Sequence, residues 1–214
     1  KPYISVLTRI SANHRLFVVV GGGGTARQYI TLARSFKADE AFSDELGIMV
    51  TRLNATLLVG ALGQAAYPCV VTSHTEALCA AETGKIVVMG GITPGQTTDA
   101  VAAVLAERTG ADLFINLTAV DGIYSADPRK DPSAKRFETM TPAELLGVVI
   151  GQQAVAGVNT VMDIVAVKMV ERCGIPLLVM DGRDPTLLES TLETGRFVGT
   201  LVTGSGNNPF PLKK

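Results

Sequence analysis

The sequence predicts an α/β fold, a three-layer αβα sandwich around a largely parallel sheet, and three observations carry that prediction. Short β-branched runs such as "LFVVV" at Leu16–Val20 alternate with longer stretches of helical periodicity. Glycine-rich junctions follow two of these runs, "GGGG" at Gly21–Gly24 and "GGITPG" at Gly90–Gly95. The composition, 214 residues with 47% hydrophobic and 18% charged, suits one compact domain or two tightly fused lobes, with a sizeable core. That domain is expected over 1–203, with 204–214 as a disordered tail.

In order, Tyr3–Ser11 carries apolar residues at helical spacing and Leu16–Val20 reads as a fully buried parallel strand. Helices are expected at Thr25–Phe36 and Asp44–Leu62, then a strand in "AYPCVV", Ala66–Val71. The alternation continues with a helix at Thr75–Thr83, the strand "KIVVM", a helix at Asp99–Arg108 ended by Gly110, and the strand "DLFINL". From Asp121, "DGIYSADPRKDPSAKRF" is rich in turn formers and reads as a long exposed loop. Thr141, Pro142 and Glu144 form a capping box opening the next helix, and "GQQAVAGVNT" is a linker. A helix at Met162–Arg172 stops at Gly174, the strand "IPLLVM" follows, and a helix at Pro185–Glu193 precedes the strand "FVGTLV".

Several function classes are disfavoured. A net charge of −1 gives no bulk attraction to nucleic acid or anionic membrane, so positive charge for a phosphate must be local. No apolar run reaches the roughly 20 residues of a membrane helix. Cys69, Cys79 and Cys173 are odd in number without CxxC spacing; Cys69 and Cys173 adjoin apolar runs as small hydrophobes. A reducing cytoplasm and small-molecule partners are expected.

The chemistry concentrates at three strand ends. Gly21–Gly24 lie between a strand and a helix, where close-approaching N–H groups and the helix dipole favour an anion, and Arg27 adds a fork of donors. The run is not a Walker A loop, lacking Gly-Lys-Ser/Thr, and no acidic residue ends the second strand as a dinucleotide fingerprint requires. In "GGITPGQTTDAVAA" the glycines and Pro94 shape a second loop, Thr98 can donate to an anion and Asp99 suits the helix start. Two such loops in one sheet suggest two phosphates meeting, as in phosphoryl transfer between nucleotides. "NLTAVDGIYSADP" offers Thr118, Asp121, Tyr124 and Asp127 to a base and ribose, although the same residues serve turns.

Together "VVVGGGGTAR", "VMGGITPGQTTDAVAA" and "VDGIYSADPRKDP" resemble the amino acid kinase family, and within it the archaeal uridylate kinase group, over nearly the whole chain. The resemblance implies transfer of the γ-phosphoryl group of ATP to UMP, with Mg²⁺, in a homohexamer built from dimers. It implies UMP contacts from Gly22, Asp44 and the loop Ile92, Thr93, Pro94, Gly95, Gln96, Thr97 and Thr98. On the ATP side it implies Gly23, Arg27, Thr118, Tyr124 and Asp127, with Arg27 and Asp163 serving the transfer itself. A phosphate acceptor is already anionic, so no general base is needed; alignment and charge neutralisation suffice.

Members of the family open on a strand ending in a Gly-Gly-Ser-type turn against the ATP phosphates. That segment has no counterpart between Lys1 and Lys214: with it upstream the implied activity stands, and without it a central strand and part of the phosphate site are absent. Gly24 and Thr25 replace a frequent lysine and apolar residue, and Ala119 an asparagine. The alternatives are a non-catalytic nucleotide-binding or storage protein on the same fold, or a kinase of another small phosphate or carboxylate acceptor.

Overall fold

A computed structural model describes residues 2–126, 128, 131–153, 162–204, 208–210 and 212. It divides into two compact units, Lys1–Ala102 and Ala103–Lys214.

The first unit runs α1 (Pro2–Ser11), β1 (Phe17–Val19), α2 (Gly23–Ser35), α3 (Glu40–Leu62), a 3₁₀ turn (Gly63–Ala65), α4 (His74–Ala81), β2 (Val87–Met89) and the start of α5 (Thr98–Thr109). β1 and β2 pair in parallel, Phe17 opposite Val87 and Val19 opposite Met89. β2 is wholly buried, whereas β1 is only half-buried, against the expectation of a fully buried strand. Among the described residues β1 has a strand partner on one edge only. "AYPCVV" forms no continuous strand: Ala66 and Val71 make single parallel bridges to Ile86 and Met89. Pro68 between them has no N–H and a fixed φ, which breaks the ladder.

α3 is the organising element, packed against α1, α2 and β2. It starts earlier than expected because Asp39 caps it, its carboxylate accepting from the Phe42 N–H at 2.8 Å. Asp44 therefore lies one turn inside the helix. With the 3₁₀ turn, Glu40–Ala65 makes 26 residues long and apolar enough to cross a membrane, contrary to the sequence expectation. Its interspersed Ser43, Thr51, Arg52 and Asn54 hide that run from the eye; Ser43 and Thr51 are buried in the unit.

The second unit holds the rest of α5, then β3 (Phe114–Thr118), β4 (Thr139–Met140), α6 (Pro142–Gln153), α7 (Ile164–Cys173), β5 (Leu177–Asp181), α8 (Pro185–Thr194) and β6 (Gly199–Val202). The sheet order is β3-β5-β6-β4, parallel except for the β5–β6 pair. That antiparallel pairing is intimate, since a Cβ on Gly199 would stand 2.5 Å from the Val179 carbonyl oxygen. Leu177–Met180 form its buried centre. The expected capping box is present: Thr141 N–H donates to Glu144 at 2.7 Å and Glu144 N–H to the Thr141 hydroxyl at 3.2 Å.

The long loop after β3 is not simply exposed. Ile123 is buried, and Tyr124 bridges Arg136 antiparallel, with Phe137 N–H donating to the Ile123 carbonyl at 2.9 Å. The segment closes as an irregular hairpin because Thr200 ties it down, its hydroxyl accepting from Ile123 N–H at 2.8 Å and donating to the Phe137 carbonyl at 2.5 Å. Most of the expected linker after α6 lies outside the described residues. In the tail, Phe210 rests against Phe197 with ring centroids 5.8 Å apart. The cysteines are free; Cys69 is exposed and Cys173 half-buried, so neither is a core hydrophobe.

Candidate functional site

In the first unit the two glycine loops come together. A Cβ on Gly21 would stand 3.8 Å from the Thr98 hydroxyl oxygen. Gly22 caps α2 without any side-chain acceptor, which leaves the helix N-terminus open to an anion. Gly23, the first helical residue, has φ +60, a backbone state that glycine takes without strain. Arg27, a turn on, is exposed and makes no hydrogen bond or ion pair among the described residues.

The second loop is held by α3. Asp44 Oδ2 accepts from Gly95 N–H at 2.8 Å, which joins two residues the sequence placed in one site from 51 positions apart. Thr93–Gln96 is a turn with Pro94 second and Gly95, at φ +78, third, closed by Gln96 N–H to Thr93 carbonyl at 3.3 Å. Thr97 accepts from Ala100 N–H at 3.2 Å and so starts α5, and Thr98 is its first residue. Ile92 and Thr98 are half-buried while Thr93–Thr97 are exposed.

Gly90 and Gly91 have a different task from the one expected. A Cβ on Gly90 would stand 2.6 Å from the Thr51 hydroxyl oxygen and 2.9 Å from the Arg52 amide nitrogen; one on Gly91 would stand 3.0 Å from Ile48. They are glycine because α3 presses on the backbone there. Thr51 Oγ1 accepts from Gly91 N–H at 2.7 Å, and Arg52 donates to the carbonyls of Gly91 and Ile92 at 3.0 and 3.2 Å. Asn54 Nδ2 donates to the carbonyls of Gly21 and Gly22 at 2.9 and 3.4 Å. Sequence reasoning missed Thr51, Arg52 and Asn54; the signal was the polar triplet inside an apolar helix.

The second unit gathers a separate polar cluster at the carboxyl ends of β3 and β5. Thr118 is closed on itself, its hydroxyl accepting from Val120 N–H at 2.9 Å and donating to the Val120 carbonyl at 3.0 Å. Tyr124 donates to Asp121 at 2.8 Å, and Arg136 donates to the other Asp121 oxygen at 2.8 Å. The bond to Asp121, with burial second, holds the Tyr124 hydroxyl above the ordinary phenol range. Arg183 forks onto Asp181 at 2.9 and 2.5 Å and thereby holds that carboxyl below its usual range. Arg136, Asp181 and Arg183 were not foreseen. Asp127 lies outside the described residues. Asp163 is the N-cap of α7, accepting from Val165 N–H at 2.8 Å, and not a residue inside that helix as expected.

An α/β chain with two adjoining glycine loops, an open helix N-terminus and a free arginine has the parts of a phosphoryl-transfer protein. The model of the amino acid kinase family matches residues 1–181, and the chain belongs to that family. It is 94% identical over 214 residues to the uridylate kinase of Methanospirillum hungatei JF-1, spanning all of this chain and 91% of that protein. It is 62% identical over 209 residues to the uridylate kinase of Methanoculleus marisnigri, covering 98% of this chain and 89% of the other. A crystal structure of uridylate kinase from Archaeoglobus fulgidus superposes with a TM-score of 0.85 at 41% identity, over 94% of this chain and 91% of that one. UMP kinase from Ureaplasma parvum, 23% identical, shares the fold with a TM-score of 0.75 over 94% of this chain and 86% of that one. The predicted α/β class is thus the class found.

Proposed function

We propose that the chain is a UMP kinase of pyrimidine nucleotide biosynthesis, transferring the γ-phosphoryl group of ATP to UMP to give UDP and ADP. The observation that carries this reading is the joining of Asp44 to the loop at Gly95 while Thr98 stands beside Gly21. A carboxylate oxygen suited to ribose hydroxyls and two anion-binding backbones then serve one nucleoside monophosphate. The uridylate kinase names of the relatives supply the base.

In this reading Gly22, Asp44 and Ile92–Thr98 take UMP. The open start of α2 and the Arg27 guanidinium neutralise the charge on the acceptor phosphate and on the group in transit. Gly23, Thr118, Tyr124 and Asp127 take ATP. The acceptor phosphate oxygen attacks the γ-phosphorus, the bond to the ADP oxygen breaks, and no proton has to be removed first. Asp163 is assigned to the ATP side through the family resemblance; its local task is the cap. Among the described residues no three acidic, His or Cys side chains converge. Mg²⁺ is assigned mainly to the ATP phosphate oxygens, where it would neutralise charge.

The reading includes a cytoplasmic homohexamer built from dimers, and the surface of α3 supports an interface between copies. Phe42, Met49, Leu53 and Leu57 leave one apolar stripe exposed along the helix, the last by 75%. Sedimentation of the purified protein tests this; a monomer at micromolar concentration would remove it. The activity is tested with ATP, Mg²⁺ and each of UMP, CMP, AMP and GMP, following ADP release. Turnover with UMP alone is expected, and UMP binding without turnover would replace the kinase by a binding protein.

A further inference from the structure

The peptide group is planar and trans, so a carbonyl and the N–H of the next residue point in opposite directions. Arg52 takes the carbonyls of Gly91 and Ile92, and the N–H groups of Ile92 and Thr93 consequently point away from α3. Asn54 takes the carbonyl of Gly21 at 2.9 Å and, together with the Ala26 N–H of α2 at 3.2 Å, that of Gly22 at 3.4 Å, and the N–H groups of Gly22 and Gly23 are turned away in the same sense. Among the described residues nothing accepts from these four N–H groups. The Asn54 amide is oriented by its neighbours, since two carbonyls can only be met by the NH₂ side. Arg52 is half-buried, and its described side-chain partners are those two carbonyls.

We propose that Arg52 and Asn54 are positioning residues: from one turn of α3 they fix consecutive carbonyls in each glycine loop and thereby aim four backbone N–H groups at the phosphates. This rests on the assignment of the loops to UMP and the group in transit. Arg52 acts on the second loop alone, and Asn54 on the first. A fork is needed at 52 because two carbonyls on successive peptides must be held together, which a single ammonium does less well.

The two residues therefore separate kinetically. Arg52→Met is expected to raise KM for UMP about tenfold, the scale of a lost charge-assisted hydrogen bond, with KM for ATP changed less than about twofold. Arg52→Lys keeps the charge and the stem; it is expected at about threefold and covers the case in which methionine unfolds the chain. Asn54→Asp is the same size but sets an acceptor against two acceptors. It is expected to lower kcat about tenfold with a smaller change in KM for UMP. Unchanged UMP affinity in both Arg52 variants, or parallel rises in both Michaelis constants, would overturn the proposal. With isoleucine and threonine ¹⁵N-labelled, the Ile92 and Thr93 amide signals of the native enzyme should move on adding UMP. If they stay, the site assignment itself falls. If they move and the Arg52 variants still bind UMP normally, only the positioning role falls.

Discussion

The two units handle polar groups at their strand ends in opposite ways. In the first, α3 spends its donors on loop carbonyls and leaves the N–H groups of Gly22, Gly23, Ile92 and Thr93, and Arg27, without partners among the described residues. In the second, the charges satisfy one another: Tyr124 and Arg136 on Asp121, Arg183 on Asp181. A ligand meeting the first unit finds donors ready, whereas one meeting the second must share or replace existing bonds. Preorganised donors are the cheaper arrangement for a compact anion; exchangeable pairs suit a ligand held through several weaker contacts.

The sharpest way to break this contrast is to remove the unengaged cation. Arg27→Ala is expected to lower kcat/KM about 100-fold or more, the scale of one lost donor to a developing charge. A loss under fivefold would mean that the first unit does not wait for an anion. Next, Gly90→Ala should destabilise the chain by about 2 kcal/mol in a urea titration, because its methyl meets Thr51 and the α3 backbone. If stability is unchanged, α3 does not press on the loop. Tyr124→Phe, which frees Asp121 of one bond, should raise KM for ATP about threefold and leave KM for UMP alone. Equal effects on both would erase the division between the units.

Asp163→Ala tests a smaller quantity. As a cap it should cost about 1 kcal/mol of stability with kcat within twofold. A large fall in kcat at unchanged stability would return Asp163 to the phosphates. Smallest is the pH response of the second unit. Glu144, Asp181 and Asp184 have carboxyls held below their usual range by Thr141, Arg183 and Thr186. A lowered folded value adds stability above the unfolded value, about pH 4, and loses it as pH falls through the folded one. Thermal midpoints should therefore drop on acidification through that window, and Glu144→Gln should flatten the drop.

Much of this was legible because it is local. The capping box at Thr141, the glycine stops at Gly110 and Gly174, and the β-branched runs follow from short-range sterics and hydrogen bonding. Gly22, Asp44 and Thr98 were named from chain pattern and resemblance; the structure sets Thr98 beside the loop of Gly21 and Gly22, and Asp44 on the helix that holds the loop before Thr98. The roles of Thr51, Arg52 and Asn54 were not legible, since each acts on backbone 32 to 40 positions away. Carbonyl partners carry no side-chain signature. The hairpin after β3 was hidden for a related reason: Thr200 pins Ile123 from 77 positions away. Pro68 stands in plain view in "AYPCVV", and its missing N–H limits that run to single bridges at Ala66 and Val71.

The close approach at Gly90 also bears on how such sequences can change over time. The space a side chain would need there is occupied by the hydroxyl of Thr51 and the backbone of α3. Enlarging position 90 requires α3 to retreat, and a retreat would slacken the holds at 51, 52 and 54 together. These positions form one inherited unit: a lineage can drift at exposed α3 positions outside the apolar stripe, such as Glu45, one residue at a time, but along the loop-facing side only in concert.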